Sequence, residues 1–324
     1  MGNGLSSHNP LVMLLFVVIY AVGVLIIMSA FAYVFGWIER KIIAKIQLRH
    51  GPNQVGKYGI LQNLADIVKL ISKEKAVPSN ADRSLFILAP QLMLSLMVFL
   101  ILLVPIFPSL QVANFGLSML AIFVLLGFSP LILFVIAFSS GNKFADLSAQ
   151  RSVLMLMSYE IPMIITVASV FLVSNSYNIQ SIVAMQSKTW FAIMLPIGFI
   201  VFFIAMLAEL ERPPFDLMEA DSELIAGWLT DVSAPYYAIA LFIDYTRMFL
   251  GGLLISILFL GGWNGPILPP TVWLIVKAFV IAIFIIIIRA STVRMRIDRV
   301  LRLGWVWLIP LALINLIMAY VLFG

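Results

Sequence analysis

Residues 271–305 read TVWLIVKAFVIAIFIIIIRASTVRMRIDRVLRLGW. The first eighteen, 271–288, hold one charge, Lys277. At about 1.5 Å per residue they reach about 27 Å, close to the thickness of a bilayer's hydrocarbon core. The next fourteen carry five arginines: Arg289, Arg294, Arg296, Arg299 and Arg302. A long apolar run that gives way to clustered arginines reads as a membrane helix ending at the inner face.

The pattern recurs in both directions along the chain. Runs of roughly twenty apolar residues lie at 11–37, 84–107, 118–139, 152–174, 189–208, 235–260 and 304–323. With 271–289 they make eight predicted crossings. Composition agrees: the 324 residues are 63% hydrophobic and 11% charged, with a mean hydropathy of +1.10. Soluble domains average about 25% charged residues, so this outer shell must face lipid. The expected class is an all-α membrane protein. It has about eight transmembrane helices in a single polytopic domain over 1–324, plus an interfacial helix in the first inner loop. The first apolar run lacks a basic stretch before it and is expected to be retained as a helix.

Basic residues set the orientation. The segments 38–83, 140–151, 209–234 and 289–303 hold nine, two, one and five Lys plus Arg. The termini and the alternate loops hold only Lys188; Arg247 and Lys277 lie inside spans. The positive-inside rule places the basic segments on the inner side and both termini outside. The net charge of +5 is thereby used up as a topology signal and calls for no nucleic-acid partner.

Cysteine is absent, which excludes disulfides, thiolate-held iron–sulfur clusters and cysteine nucleophiles. His8 and His50 alone cannot build a haem pair or a zinc site. No metal site is expected, and any redox cofactor is expected in a partner chain.

The first inner loop contains GILQNLADIVKLISKEK, residues 59–75. At helical spacing Ile60, Leu61, Leu64, Ile67, Val68 and Ile71 share one face, with Asp66, Lys69 and Lys73 opposite. The segment is too short to cross and is predicted to lie along the inner interface. It serves either as a surface anchor or as the wall of a site open to lipid.

The acidic segment 209–234 breaks the charge pattern. It holds Glu209, Glu211, Asp216, Glu219, Asp221, Glu223 and Asp231 against the single base Arg212. Asp216 and Glu219 have capping-box spacing after Pro213-Pro214 and are predicted to start a helix. The remaining acids are either a solvated face or carboxyls that share protons, because close carboxylates raise one another's pKa. Two acids lie inside spans. Glu160 in SYEIP and Asp244 in FIDYTRM are each about 13–15 Å deep from the inner side. Intramembrane carboxylates point to proton relays. The bland alternatives are an Asp244–Arg247 ion pair and a neutral, hydrogen-bonded Glu160. Together these acids have the layout of a proton or cation half-channel from the inner side. The arginine-rich stretch 289–302 suits anionic lipid or a soluble partner, or else counters the acids of 209–234.

Two stretches resemble one family. ERKIIAKIQLRHGPNQVGKYGILQNLADIVKLISKE, residues 39–74, and AELERPPFDLMEADSELIAGWLTDVSAPYYAIALFIDY, residues 208–245, are similar to a membrane protein numbered 1 among the mitochondrial subunits and lettered H among the bacterial ones. It belongs to NADH:quinone oxidoreductase, respiratory complex I. GNKFADLSAQRSVLMLMSYEIPM, GGWNGP and RIDRVLRLGWVWLIPLALIN continue the match in order. The resemblance implies the heel of a proton-pumping membrane arm, lining the chamber that quinone enters from lipid. It implies Arg40, Arg49, Arg212, Phe215, Arg294 and Arg296 at the chamber rim. It also implies that Glu160, Glu209, Glu211, Asp216, Glu219, Asp221, Glu223, Asp231 and Asp244 couple quinone chemistry to proton movement.

The implied substrate is ubiquinone or menaquinone, with no redox cofactor held by this chain. The implied partners are the soluble quinone-site and iron–sulfur subunits of the peripheral arm, small membrane subunits, antiporter-like subunits and lipids. The electron donor would be NADH, a deazaflavin or ferredoxin. The implied location is the cell inner (plasma) membrane, with the mitochondrial inner membrane second. Asp231-Val232 stands where the family pattern has Glu-Tyr, Asp244 where many relatives carry Glu, and Pro213 where Ala is commoner. Two other readings compete. The ion-translocating subunit of a membrane-bound hydrogenase should have a shortened first loop, unlike GPNQVGKYGILQ. A stand-alone cation/proton antiporter should show inverted repeats and an outer polar path.

Overall fold

The computed structural model describes residues 10–106, 116–219 and 221–323. Most of the predicted outer loop 108–117 lies outside that set, as does His8. Among the described residues there is no strand. The helices in chain order are α1 (Pro10–Ile46), α2 (Gln62–Ser72), α3 (Arg83–Leu103), α4 (Ser118–Leu126) and α5 (Ser129–Ser139). They continue with α6 (Lys143–Ser174), α7 (Ile179–Met185), α8 (Phe191–Met194), α9 (Pro196–Glu209) and α10 (Asp221–Leu224). The last are α11 (Ala234–Phe259), α12 (Pro270–Ser291), α13 (Ile297–Arg302) and α14 (Ile309–Phe323).

Seven spans among the described residues are long and apolar enough to cross a membrane: α1, α3, α4–α5, α6, α11, α12 and α13–α14. The chain is a multi-pass, all-α membrane protein. The eighth expected crossing, 189–208, takes a different form. Pro196 forces Leu195 out of helical conformation (φ −127°, ψ 64°), which separates α8 from α9. The remaining helix α9 has fourteen residues. That is about 21 Å, short of the roughly 30 Å hydrocarbon core. It can be short because Val201, Phe202, Ala205 and Met206 are packed inside the bundle, against α6 and α14 among others.

Two spans are irregular for local reasons. The third breaks at Gly127–Phe128, before Ser129-Pro130. In α6, Pro162 has no N–H to give to the carbonyl of Ser158. Gly304 sits over that carbonyl, where any Cβ would overlap the oxygen. The same glycine lies in a π-helical stretch, Leu303–Leu308, that joins α13 to α14. An aromatic seam joins α1, α11 and α12: Phe31 stacks on Phe35 with centroids 4.0 Å apart, and Phe279 meets Phe35 edge-on at 4.5 Å.

Helix α2 is shorter than the predicted 59–75, and its polar edge faces the bundle. Buried Asn63 donates to the Tyr33 carbonyl (2.7 Å) and Arg40 holds Asp66 (2.5 Å). Ile60, Leu61, Leu64, Ile67, Val68 and Ile71 all point outward; Val68 is 61% exposed. This is the orientation expected of a helix lying at the lipid interface.

Candidate functional site

A deeply buried polar group starts from the end of α9. Its last residue, Glu209, is buried and accepts a 2.7 Å hydrogen bond from Ser129, the first residue of α5. Ser139, the inner end of α5, is ten residues further on, about 15 Å away along the helix. The acidic segment therefore does not begin in inner solvent. It begins well inside the bundle and climbs back towards the inner surface. Irregular backbone is tolerated at such depth only where protein surrounds it.

Charges along this climb alternate in sign. Arg247 of α11 meets Glu209 at 3.7 Å and Glu211 at 3.4 Å, and also donates to the Glu209 carbonyl. Arg212 meets Asp244 of α11 at 4.0 Å and Glu39 of α1 at 2.8 Å. Arg289 of α12 closes the series on Glu39. The Arg212 guanidinium also lies over the Tyr245 ring, 5.5 Å from its centroid. Glu211, Arg212, Asp216, Glu219, Asp244 and Arg289 surround a small cavity of about 20 Å³. That is room for about one water.

Six carboxyls (Glu39, Glu209, Glu211, Asp216, Glu219, Asp244) thus share this region with three guanidiniums (Arg212, Arg247, Arg289). Three unpaired carboxylates in a protein-enclosed space would be very costly, so protons must be held among them. In the connecting segment, burial pushes Glu211 up to about 7, with Arg247 opposing and the nearby Glu209 and Asp244 adding. Burial, with Asp244 and Asp216 close by, pushes Glu219 to about 8 against the pull of Arg212. Burial also raises Asp216, opposed first by Arg289.

The sign of the pH dependence follows. The folded chain keeps protons on Glu211 and Glu219 where the unfolded chain has released them. Stability must therefore fall as pH rises from about 4.3 through about 8. Replacing Glu219 by Gln removes one of these groups. The thermal midpoint of the purified complex is expected to fall less steeply over that range in Glu219→Gln than in wild type. Parallel curves would show that Glu219 carries no extra proton.

Not every acid of the segment joins the series. Glu223 is half exposed, clamped by Arg151 at 2.7 Å and Arg294 at 2.9 Å, and the Arg151 hydrogen bond holds it below the usual carboxylate range. Asp231 accepts from Asn142, the N-cap residue of α6, at 2.7 Å. The side chain of Asp221 lies outside the described residues.

The predicted helix at Asp216 does not form. Asp216 takes the backbone N–H of Glu219, but helix resumes only at α10. Asp244 does not pair with Arg247, which turns to Glu209 and Glu211 instead. Glu160 stands apart, in an apolar groove of about 820 Å³ between α4–α5 and α6, beside Gly127. It remains next in sequence to Tyr159, which is buried at Glu209.

The six chamber-rim residues are not gathered in one cavity of this chain. Arg40 and Arg49 line a cleft of about 380 Å³ with Gln62. Phe215 and Arg212 are buried, Arg294 is held by Glu223, and Arg296 is exposed beside Asp298. The reading from sequence alone missed Glu39, because it ended the first span at 37. It grouped Arg289 with the arginines that orient the chain, meet lipid or a soluble partner, or counter the acids of 209–234; the structure sets Arg289 on Glu39 and beside Asp216 and Glu219. The Glu-Arg-Lys triplet just past an apolar run was the available signal for Glu39.

A profile of the family described as NADH dehydrogenase matches residues 18–320. Among curated proteins, the chain is 39% identical to the H subunit of the F420H2 dehydrogenase of Methanosarcina acetivorans, over 92% of this chain and 91% of that one. It is 37% identical to the H subunit of the NADH-quinone oxidoreductase of Carboxydothermus hydrogenoformans, over 96% and 91% respectively. The corresponding protein of Anoxybacillus flavithermus is 38% identical over 92% of both chains.

Proposed function

The chain belongs to the H-subunit family of NADH dehydrogenases, and from that premise we propose that it forms the quinone chamber and the first proton-coupling station of a complex-I-like membrane arm. It is one subunit of an oxidoreductase, and its own part is proton handling rather than redox chemistry. Reducing a quinone consumes two electrons and two protons and yields a quinol. The electrons come from iron–sulfur subunits of a peripheral arm, and the protons enter from the inner side.

The observation that carries this reading is the excess of carboxyls over guanidiniums along the alternating series from Arg289 to Glu209. Such a series holds protons at neutral pH and redistributes them when a charge appears at its inner end. Arg212 is the link, because it touches Glu39 and Asp244 together. Glu211, Asp216 and Glu219 are the proton-holding groups around Asp244. Glu209 passes the change toward Tyr159 and Glu160, and Glu160 opens it to a neighbouring membrane subunit. Glu223 and Asp231 serve as clamps that fix the acidic segment to α6 and to the stretch after α12. The relatives are named as NADH-quinone oxidoreductase and F420H2 dehydrogenase subunits, which favours this reading over a hydrogenase or an antiporter. The multi-pass chain is assigned to the plasma membrane, beside small membrane subunits and antiporter-like subunits.

Quinone reaches the chamber past α1, α2 and α11, with Arg40, Arg49, Phe215, Arg294 and Arg296 completing its rim against a soluble partner. The outward stripe of α2 tests this. A bulky maleimide on Val68→Cys is expected to slow reduction of a long-chain quinone several-fold more than that of a short, hydrophilic one. Equal effects on the two, or none, would remove the portal from the proposal. The matching test of the complex is co-purification: soluble iron–sulfur subunits should accompany this chain in mild detergent.

A further inference from the structure

Lys277 lies seven residues into α12 from its outer end and is buried. Its ammonium donates to three backbone carbonyls: Leu260 at 2.7 Å, Gly262 at 2.9 Å and Asn264 at 2.8 Å. Those carbonyls belong to the end of α11 and the outer loop that follows. All three donors of the ammonium are therefore used, and no carboxylate takes part. Two indoles flank it, Trp190 at 5.3 Å and Trp273 at 5.8 Å to the ring centroids.

The surrounding backbone is shaped to converge on this point. Gly261 and Gly262 adopt φ +74° and +50°, and the Gly262 N–H returns to the Ser256 carbonyl at 2.8 Å. Gln186, at the end of α7, ties the same corner. It donates to Ile257 and accepts from Gly261, both at 2.8 Å. A buried cation held by carbonyls and indole faces is costly to expose and costly to leave out.

We propose that Lys277 is a tethered cation that locks the outer end of α11, α12 and α7–α8 together, so that the acids are reached by protons from the inner side alone. The charge works in two ways. It occupies a polar corner at this end of α11, and its fixed positive charge repels any proton that would enter there. The purpose rests on the proton-coupling reading, but the lock itself is measured without turnover.

The test uses the intact complex in proteoliposomes. This chain has no cysteine, so Ser256→Cys gives its only thiol, buried one turn inside the lock. Lys277→Met keeps the bulk of the stem and removes the three charge-assisted bonds. Labelling at 256 by a membrane-impermeant maleimide added outside is expected to speed up by at least about tenfold, with a parallel rise in passive proton permeability. In Lys277→Ala, n-propylammonium, which matches the three carbons and the nitrogen removed, should refill the cage and slow labelling again. Trp190→Leu, which spares all three hydrogen bonds, is expected to give a smaller rise and serves if Lys277→Met does not assemble. Labelling and permeability that stay at the Ser256→Cys level in both variants would overturn the lock. The proton-coupling reading would stand or fall separately, on the ratio of protons moved to electrons passed.

Discussion

Arg247→Met should destabilise the membrane arm by about 3–5 kcal/mol, the usual cost of breaking a buried ion pair on one side. Arg247 is 3% exposed and faces two carboxyls, the buried Glu209 at 3.7 Å and the mostly buried Glu211 at 3.4 Å. Removing the guanidinium leaves Glu209 with Ser129 as its hydrogen-bonding neighbour on α5. The variant should assemble poorly and unfold early in a thermal ramp of the purified complex. The double variant Arg247→Met, Glu209→Gln is the decisive control. It removes both charges, and it should recover more than half of the loss, because the penalty arises from the stranded carboxylate. If the double variant is as unstable as the single one, the cost lies in packing and the pair has been misread.

Asp244→Asn should have the largest effect on turnover. Asp244 lies opposite Arg212 at 4.0 Å, and its side chain is 29% exposed, so it is the loosest of the ion-paired carboxylates in the series. Glu39, by contrast, is bonded by two arginines and is 3% exposed. The Asp244 charge stands between Arg212 and the proton-holding Glu211, Asp216 and Glu219, so those protons answer to it. Asn keeps the shape and removes that charge. Quinone reduction and proton movement in sealed vesicles should fall together, by about 10²-fold, the lower range for a lost proton-transfer group. Glu223→Gln should cost far less, since Glu223 is held in a half-exposed clamp with Arg151 and Arg294. An unchanged rate and proton-to-electron ratio in Asp244→Asn would remove Asp244 from the coupling path.

Hydropathy reads apolar runs well and buried charge badly, and the two halves of this molecule show both. The long spans α3, α6, α11 and α12 were legible because lipid demands uninterrupted apolar length. The outward stripe of α2 was legible from the helical spacing of its apolar residues instead. By contrast, 189–208 is as apolar as the other runs, so nothing in its hydropathy announced that the helix would break at Leu195 and that α9 would end inside the bundle at Glu209. Charge then misled in the other direction. Glu39 and the start of the acidic segment looked like solvent-side loop, although their partners Arg212, Arg247 and Arg289 enclose them inside the bundle. Each of those pairings joins residues 36 to 250 positions apart. Local spacing carries no trace of them. The capping-box spacing of Asp216 and Glu219 was the opposite case: a local signal that the tertiary structure overrode.

The contact between Glu209 and Arg247 also constrains the order in which the protein is built. The acid is at the end of α9, and the base that neutralises it is 38 residues later, in α11. During synthesis α9 therefore emerges with a carboxyl that has no counter-ion. Lipid would reject that carboxylate at such depth. The short helix must wait, protonated or still near the aqueous side, until α11 has been made. The final bundle then closes around α9 as one of its last steps. A ribosome-bound chain ending between 210 and 247 should thus hold a membrane protein with its earlier spans in place and its proton-bearing segment still outside.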